Sequence, residues 1–126
     1  MKRPLAPAYS VAEEIAHAIT HGLGLVMSIA GLVVLVWLAA RYGSAWHVVG
    51  CAIFGATLIL TYTASTLYHS LPARRVKSVF QKLDHSAIFL LIAGTYTPFT
   101  LVNLRGPWGW SILATVWAVG IFGIAL

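Results

Sequence analysis

Four apolar runs, each long enough to cross a bilayer, constrain this chain more than any other feature. They cover residues 16–40, 46–68, 84–102 and 108 onward. A membrane-crossing helix needs about 20 mostly apolar residues. Counted in crossings, the runs predict an all-α fold: a polytopic transmembrane helix bundle of about four helices. Composition supports this, with 60% hydrophobic residues, 9% charged residues and a mean hydropathy of +0.86. A soluble domain carries about 25% charged residues, so this chain cannot clothe a water-facing surface.

The boundaries follow from the punctuation between the runs. Residues 1–126 read as one transmembrane domain, with a polar arm over 1–10 and helices over 13–40, 46–70, 84–103 and 108–126. Ser10 and Glu13 have the form of a capping box, so the first helix starts in water and enters the apolar run. Arg74, Arg75, Lys77 and Lys82 mark a basic loop before the third run. Pro98 predicts a kink late in that run, and residues 103–107 a turn. Helical periodicity adds little, because a helix facing lipid is apolar nearly all round. The pairs Gly24/Ser28 and Ala52/Ala56 have the small-residue spacing that lets helices approach closely. No cleavable signal is expected: Lys2 and Arg3 lead into Pro4, Pro7 and the pair Glu13-Glu14, not into a short apolar core.

Charge sets the orientation. With the amino terminus in the cytoplasm, that side carries Lys2, Arg3, Arg74, Arg75, Lys77 and Lys82, against only Arg41 and Arg105 opposite. This is the positive-inside bias. Trp37, Tyr42, Trp46, Trp108 and Trp110 all fall at the predicted outer interface, as an aromatic belt does. The expected location is a membrane crossed several times, with membrane lipids as partners. The net charge of +5 and pI near 9.8 do not indicate nucleic acid, because the basic residues lie in short loops where topology explains them. Cys51 is the single cysteine, which excludes an intrachain disulfide and a thiolate cluster.

The few ionisable groups are placed unevenly. Glu13, Glu14, Asp84, His17, His21, His69 and His85 all sit at run ends on the predicted cytoplasmic side. Ionisable groups in a membrane are costly and usually functional. Ser65 and His69 lie four apart and share a helical face. Glu14, His17 and His21 follow i, i+3, i+7 spacing along one stripe of the first helix, with Thr20 beside them. An imidazole pair at i, i+4, such as His17 and His21, can bind a metal, but two half-solvated interfacial histidines are the commoner explanation of the pattern. Asp84 opens the third run, where a capping carboxylate is also common. His85 points about 100° away from Asp84, and His47 stands alone at the other interface.

Three stretches carry a resemblance. They are Glu14-x-x-His17-x-x-Thr20-His21-Gly22, Ser65-Thr-Leu-Tyr-His69, and Leu83-Asp84-His85-x-x-Ile88 continuing to Ala93-Gly-Thr-Tyr-Thr-Pro98. In this order they resemble the bacterial hemolysin III proteins, which group with the progestin and adiponectin receptors and more distantly with alkaline ceramidases. The resemblance covers the chain from Ser10 onward. It implies an intramembrane Zn2+ site with His69 as a direct ligand, Asp84 acting through bound water, and Ser65 beside that water. It also implies seven helices and a late His-x-x-x-His supplying two further ligands. That motif is missing from the sequence, which looks like the amino-terminal half of a longer member. His17 stands where the family often has Asn.

Three functions compete. One is a zinc-dependent membrane hydrolase cleaving a lipid amide, ceramidase-like, with Asp84 and Ser65 catalytic. Another is a non-catalytic regulator of membrane lipids or a receptor-like protein. The third takes the family name literally as a cytolysin, but a secreted pore-former needs a soluble form and this chain has almost no polar surface. Ion transport through the His/Glu cluster is a weaker fourth.

Overall fold

The computed structural model describes residues 9–126, all helical apart from short connections. The predicted amino-terminal arm lies, through residue 8, outside the described residues. Helix α1, Val11–Tyr42, opens on the predicted capping box: Ser10 Oγ accepts from the Glu13 N–H at 3.3 Å, and the Ser10 N–H donates to Glu13 Oε2 at 2.7 Å. Its 32 residues extend about 48 Å, well beyond a hydrocarbon core of about 30 Å. One end of α1 therefore projects into the interface. Helix α2, Ala45–Ser70, starts where His47 Nδ1 accepts from the Ser44 N–H. It stops before Leu71, whose extended backbone (φ −92°, ψ 124°) is what Pro72 demands of its predecessor.

Helix α3, Arg74–Pro98, begins ten residues earlier than the expected start at Asp84. The basic stretch is not a loop. Arg, Lys, Gln and Leu are good helix formers, and outside the hydrocarbon their charges carry no penalty. The apolar run marked only the embedded part of a longer helix. The connection from α2 shrinks to Leu71, Pro72 and Ala73. Pro98 closes α3, and the chain continues as a π-helical turn, Phe99–Asn103. Proline removes one helical donor, and Ser/Thr hydroxyls commonly satisfy the disturbed backbone in membranes. Thr97 and Thr100 donate to the carbonyls of Ala93, Tyr96 and Thr97 here. Gly106, at φ 146°, turns the chain into α4, Pro107–Ala125.

The helices form an open antiparallel row. α1 packs on α2, α2 on α3 and α3 on α4, while the described residues of α1 and α4 do not pack together. Packing relies on close approach at small residues. Gly24 lies under the Tyr62 ring, Gly55 under Leu32 and Gly94 against Thr57. Gly24 and Ser28 thus face α2 as their spacing suggested. In the second pair Ala56 is exposed, and Gly55 holds the packing position instead. Trp117 Nε1 donates to Thr97 Oγ1 at 3.1 Å, tying α4 to α3. Large apolar side chains such as Val26, Met27, Val33 and Phe122 stay exposed, as lipid-facing residues do. All four helices are long and apolar enough to cross a membrane.

The two ends of the row differ. At one end Trp46 meets Trp110 edge to face at 5.7 Å, Arg105 lies over Trp46, and Trp37 meets Tyr42. At the other end meet the start of α1, the end of α2 and the start of α3, and there the ionisable residues gather.

Candidate polar site at one end of the helices

Antiparallel packing of α1 on α2 sets two stripes of polar residues against each other. On α1, Glu14, His17 and His21 descend from the helix start. On α2, His69 and Ser65 descend from the helix end. Glu14 therefore meets His69, with Oε2 and Nδ1 2.8 Å apart. One layer deeper, His21 Nδ1 meets Ser65 Oγ at 2.5 Å. His17 lies between, its ring centroid 4.7 Å from that of His69 and 6.0 Å from that of His21. The His21 and His69 rings are 5.8 Å apart, and Tyr9 sets its edge against both His17 and His69. His17 and His21, only secondary candidates by sequence, thus share one cluster with His69 and Ser65.

Burial is graded. The Ser65 residue is 5% exposed, the His69 side chain 7% and that of Glu14 18%. A carboxylate this far from water needs a cation or donors. It has both, because Lys77 from α3 places Nζ 2.8 Å from Glu14 Oε1. The same ammonium donates to the Tyr68 carbonyl at 3.0 Å and lies 4.8 Å from the Tyr68 ring centroid. Glu14 thereby joins three helices. Lys77 was invisible to the sequence reading as a site residue, since it counted only as a loop charge. The signal would have been its position seven residues before Asp84, on the same face of an extended α3.

Asp84 occupies that face of α3, half-buried. It is near enough to act electrostatically on His21 and Tyr68, but it enters no hydrogen bond or ion pair among the described residues. Ser65 and His69 therefore share one cluster through His21 and Glu14 of α1, with Asp84 on the neighbouring helix at the same end. Thr20 turns its hydroxyl back to the carbonyls of Ala16 and His17 and stays outside the cluster. His85 is exposed and donates to the Gln81 carbonyl. His47 belongs to the opposite end. The Thr66 hydroxyl is buried with no hydrogen-bond partner among the described residues. Beside the cluster an open groove of about 380 Å³ runs past Ile15, Ile19, Leu71, Glu14, His69 and Lys77, apolar along its walls and charged at its head.

The donor set can be tested against a metal. Imidazoles around one tetrahedral ion have ring centroids roughly 5 Å apart, near the spacings of His17, His21 and His69. Spacing alone does not converge their nitrogens. His21 and His69 each commit Nδ1 to a protein partner, and no group of three or more His, Cys, Asp or Glu among the described residues is arranged to hold an ion. His69 on its own does have a ligand's chemistry. A ligating histidine typically gives its second ring N–H to a carboxylate, and Glu14 stands there. The residues fit one ligand with its supporting carboxylate, and not a complete site.

Comparison with known proteins places this arrangement in context. A family model described as Haemolysin-III related matches residues 9–126. The Hemolysin-3 homolog of Bacillus subtilis (strain 168) is 49% identical over 116 residues, covering 92% of this chain and 54% of that protein. Hemolysin-3 of Bacillus cereus is 52% identical over 114 residues, covering 90% of this chain and 52% of that protein. The chain thus spans about half the length of the curated relatives it matches. No solved structure matches it.

Proposed function

The chain belongs to the haemolysin-III-related family of multi-pass membrane proteins, and on that premise we propose that the complete protein is a zinc-dependent hydrolase of lipid amides. It sits in the bacterial inner membrane with its amino terminus in the cytoplasm. The observation that carries this reading is the buried His69 with its Nδ1 on the Glu14 carboxylate, at the end of the bundle where a lipid headgroup bond lies. His69 would hold the zinc through its remaining nitrogen, and the further ligands a zinc ion needs would have to come from outside the residues described. When bound, zinc lowers the pKa of water to about 7 and polarises a carbonyl.

The chain's own residues have distinct tasks. Asp84, half-buried and without a hydrogen bond or ion pair among the described residues, would accept the proton that water releases on attacking the amide carbon. It then delivers that proton to the leaving nitrogen, so that amide and water give a fatty acid and an amine. Ser65 holds His21 and places a hydroxyl beside the reacting carbonyl. The groove flanked by Ile15, Ile19 and Leu71 suits an acyl chain.

The test is hydrolysis of a fluorescent ceramide by the complete protein in detergent. Turnover is expected in the wild type and should fall at least about 100-fold in Asp84→Asn, the scale of general acid–base catalysis, with zinc content kept. Absence of turnover in zinc-loaded wild type would instead favour a non-catalytic regulator of membrane lipids. Lysis of erythrocytes by the purified protein would support the activity in the relatives' names.

A further inference from the structure

We infer that Glu14 is a positioning residue for His69, with Lys77 as its anchor. The inference deepens the zinc reading above and rests on it for its consequence, though not for its geometry. A neutral imidazole has two tautomers, and only a nitrogen without a proton can bind a metal. An ionised carboxylate has no proton to give, so a carboxylate on Nδ1 forces the proton there and leaves Nε2 unprotonated, its lone pair free for a metal. Glu14 Oε2 lies 2.8 Å from His69 Nδ1. With the His69 side chain 7% exposed, water cannot readily compete for that nitrogen.

The second carboxylate oxygen is equally committed. Lys77 Nζ lies 2.8 Å from Glu14 Oε1, which keeps the carboxylate ionised and fixes its plane. Lys77 is held in turn by the Tyr68 carbonyl and ring, and Tyr68 precedes His69 in the chain. The contacts close on themselves: the Tyr68 carbonyl, Lys77, Glu14, the His69 ring, and back through one peptide to Tyr68. A simple tie between helices needs only the Lys77–Glu14 pair. The closed circuit also fixes the ring relative to its own backbone. Second partners of this kind are worth 10–100-fold in metal affinity.

Two readouts on the complete protein test this. The first is nitrogen NMR of 15N-histidine-labelled, metal-free protein at about pH 8, where a free imidazole is neutral. Wild-type His69 should carry its proton on Nδ1, while Glu14→Gln and Glu14→Ala should give a mixture or the Nε2–H form. The second is zinc affinity by competition with a chelator. Both Glu14 variants should lose about 10–100-fold while still binding one ion at saturation. Lys77→Met should lose less alone and add nothing to Glu14→Ala, the non-additivity of groups acting in one chain. An unchanged tautomer in Glu14→Gln and Glu14→Ala, or wild-type affinity in both, would overturn the inference. If the wild type holds no zinc, the functional reading fails, and the tautomer still decides the role of Glu14.

Discussion

Ser65 and His21 form the shortest side-chain hydrogen bond among the described residues, at 2.5 Å, with Ser65 buried and His21 half-buried. Ser65→Ala should therefore cost about 1–3 kcal/mol, the penalty for leaving a buried polar group unpaired, read as a lower thermal midpoint in detergent. Thr20→Ala, whose hydroxyl is exposed and bonded only to its own helix, should leave the midpoint within error. An equal loss in both would show that Ser65 contributes only helix packing. At this scale the sequence revealed the stripes but not their pairing. Spacing alone puts Glu14, His17 and His21 on one face and Ser65 and His69 on another. Which carboxylate meets which imidazole depends on the register of α1 against α2. Gly24 under Tyr62 and Gly55 under Leu32 set that register, and such contacts leave no periodic trace in a helix apolar all round. Tyr9 was missed for the same reason, and Lys77 because its basic stretch counted as a loop.

Among the helices, close approach dominates. A Cβ at Gly94 would collide with the Thr57 hydroxyl, itself buried and bonded to the Phe54 carbonyl. Gly94→Ala should destabilise the α2–α3 contact by about 1–3 kcal/mol through overpacking. Among the described residues nothing lies within 4 Å of a Cβ added at Gly31, the helix's own backbone aside, so Gly31→Ala should be neutral or stabilising by up to about 1 kcal/mol through helix propensity. Thermal unfolding of the two variants side by side checks the pair, and the opposite ranking would contradict the packing. Helix number and type were legible because a run of apolar residues has few alternatives in lipid. The start of α3 was not. Its first turns are amphipathic and basic, and a charge count cannot distinguish an interfacial helix from a loop.

For the whole molecule, the open row leaves α1 and α4 without mutual packing among the described residues, and the chain spans about half the length of the curated relatives it matches. Order along the row was legible from the short connections, which force neighbours to be antiparallel. Orientation in the membrane rests on the Lys/Arg asymmetry and is directly testable. In a Cys51→Ala background, an impermeant thiol reagent on intact cells should label Ser44→Cys and spare Val76→Cys until the cells are lysed; the reverse pattern would invert the topology. The central claim is that His69, supported by Glu14, is a metal ligand in the complete protein, and elemental analysis after purification tests it most directly. The account predicts one zinc per chain in the wild type, none in His69→Ala and nearly full zinc in Asp84→Ala. Stoichiometric zinc retained in a folded His69→Ala protein would contradict it.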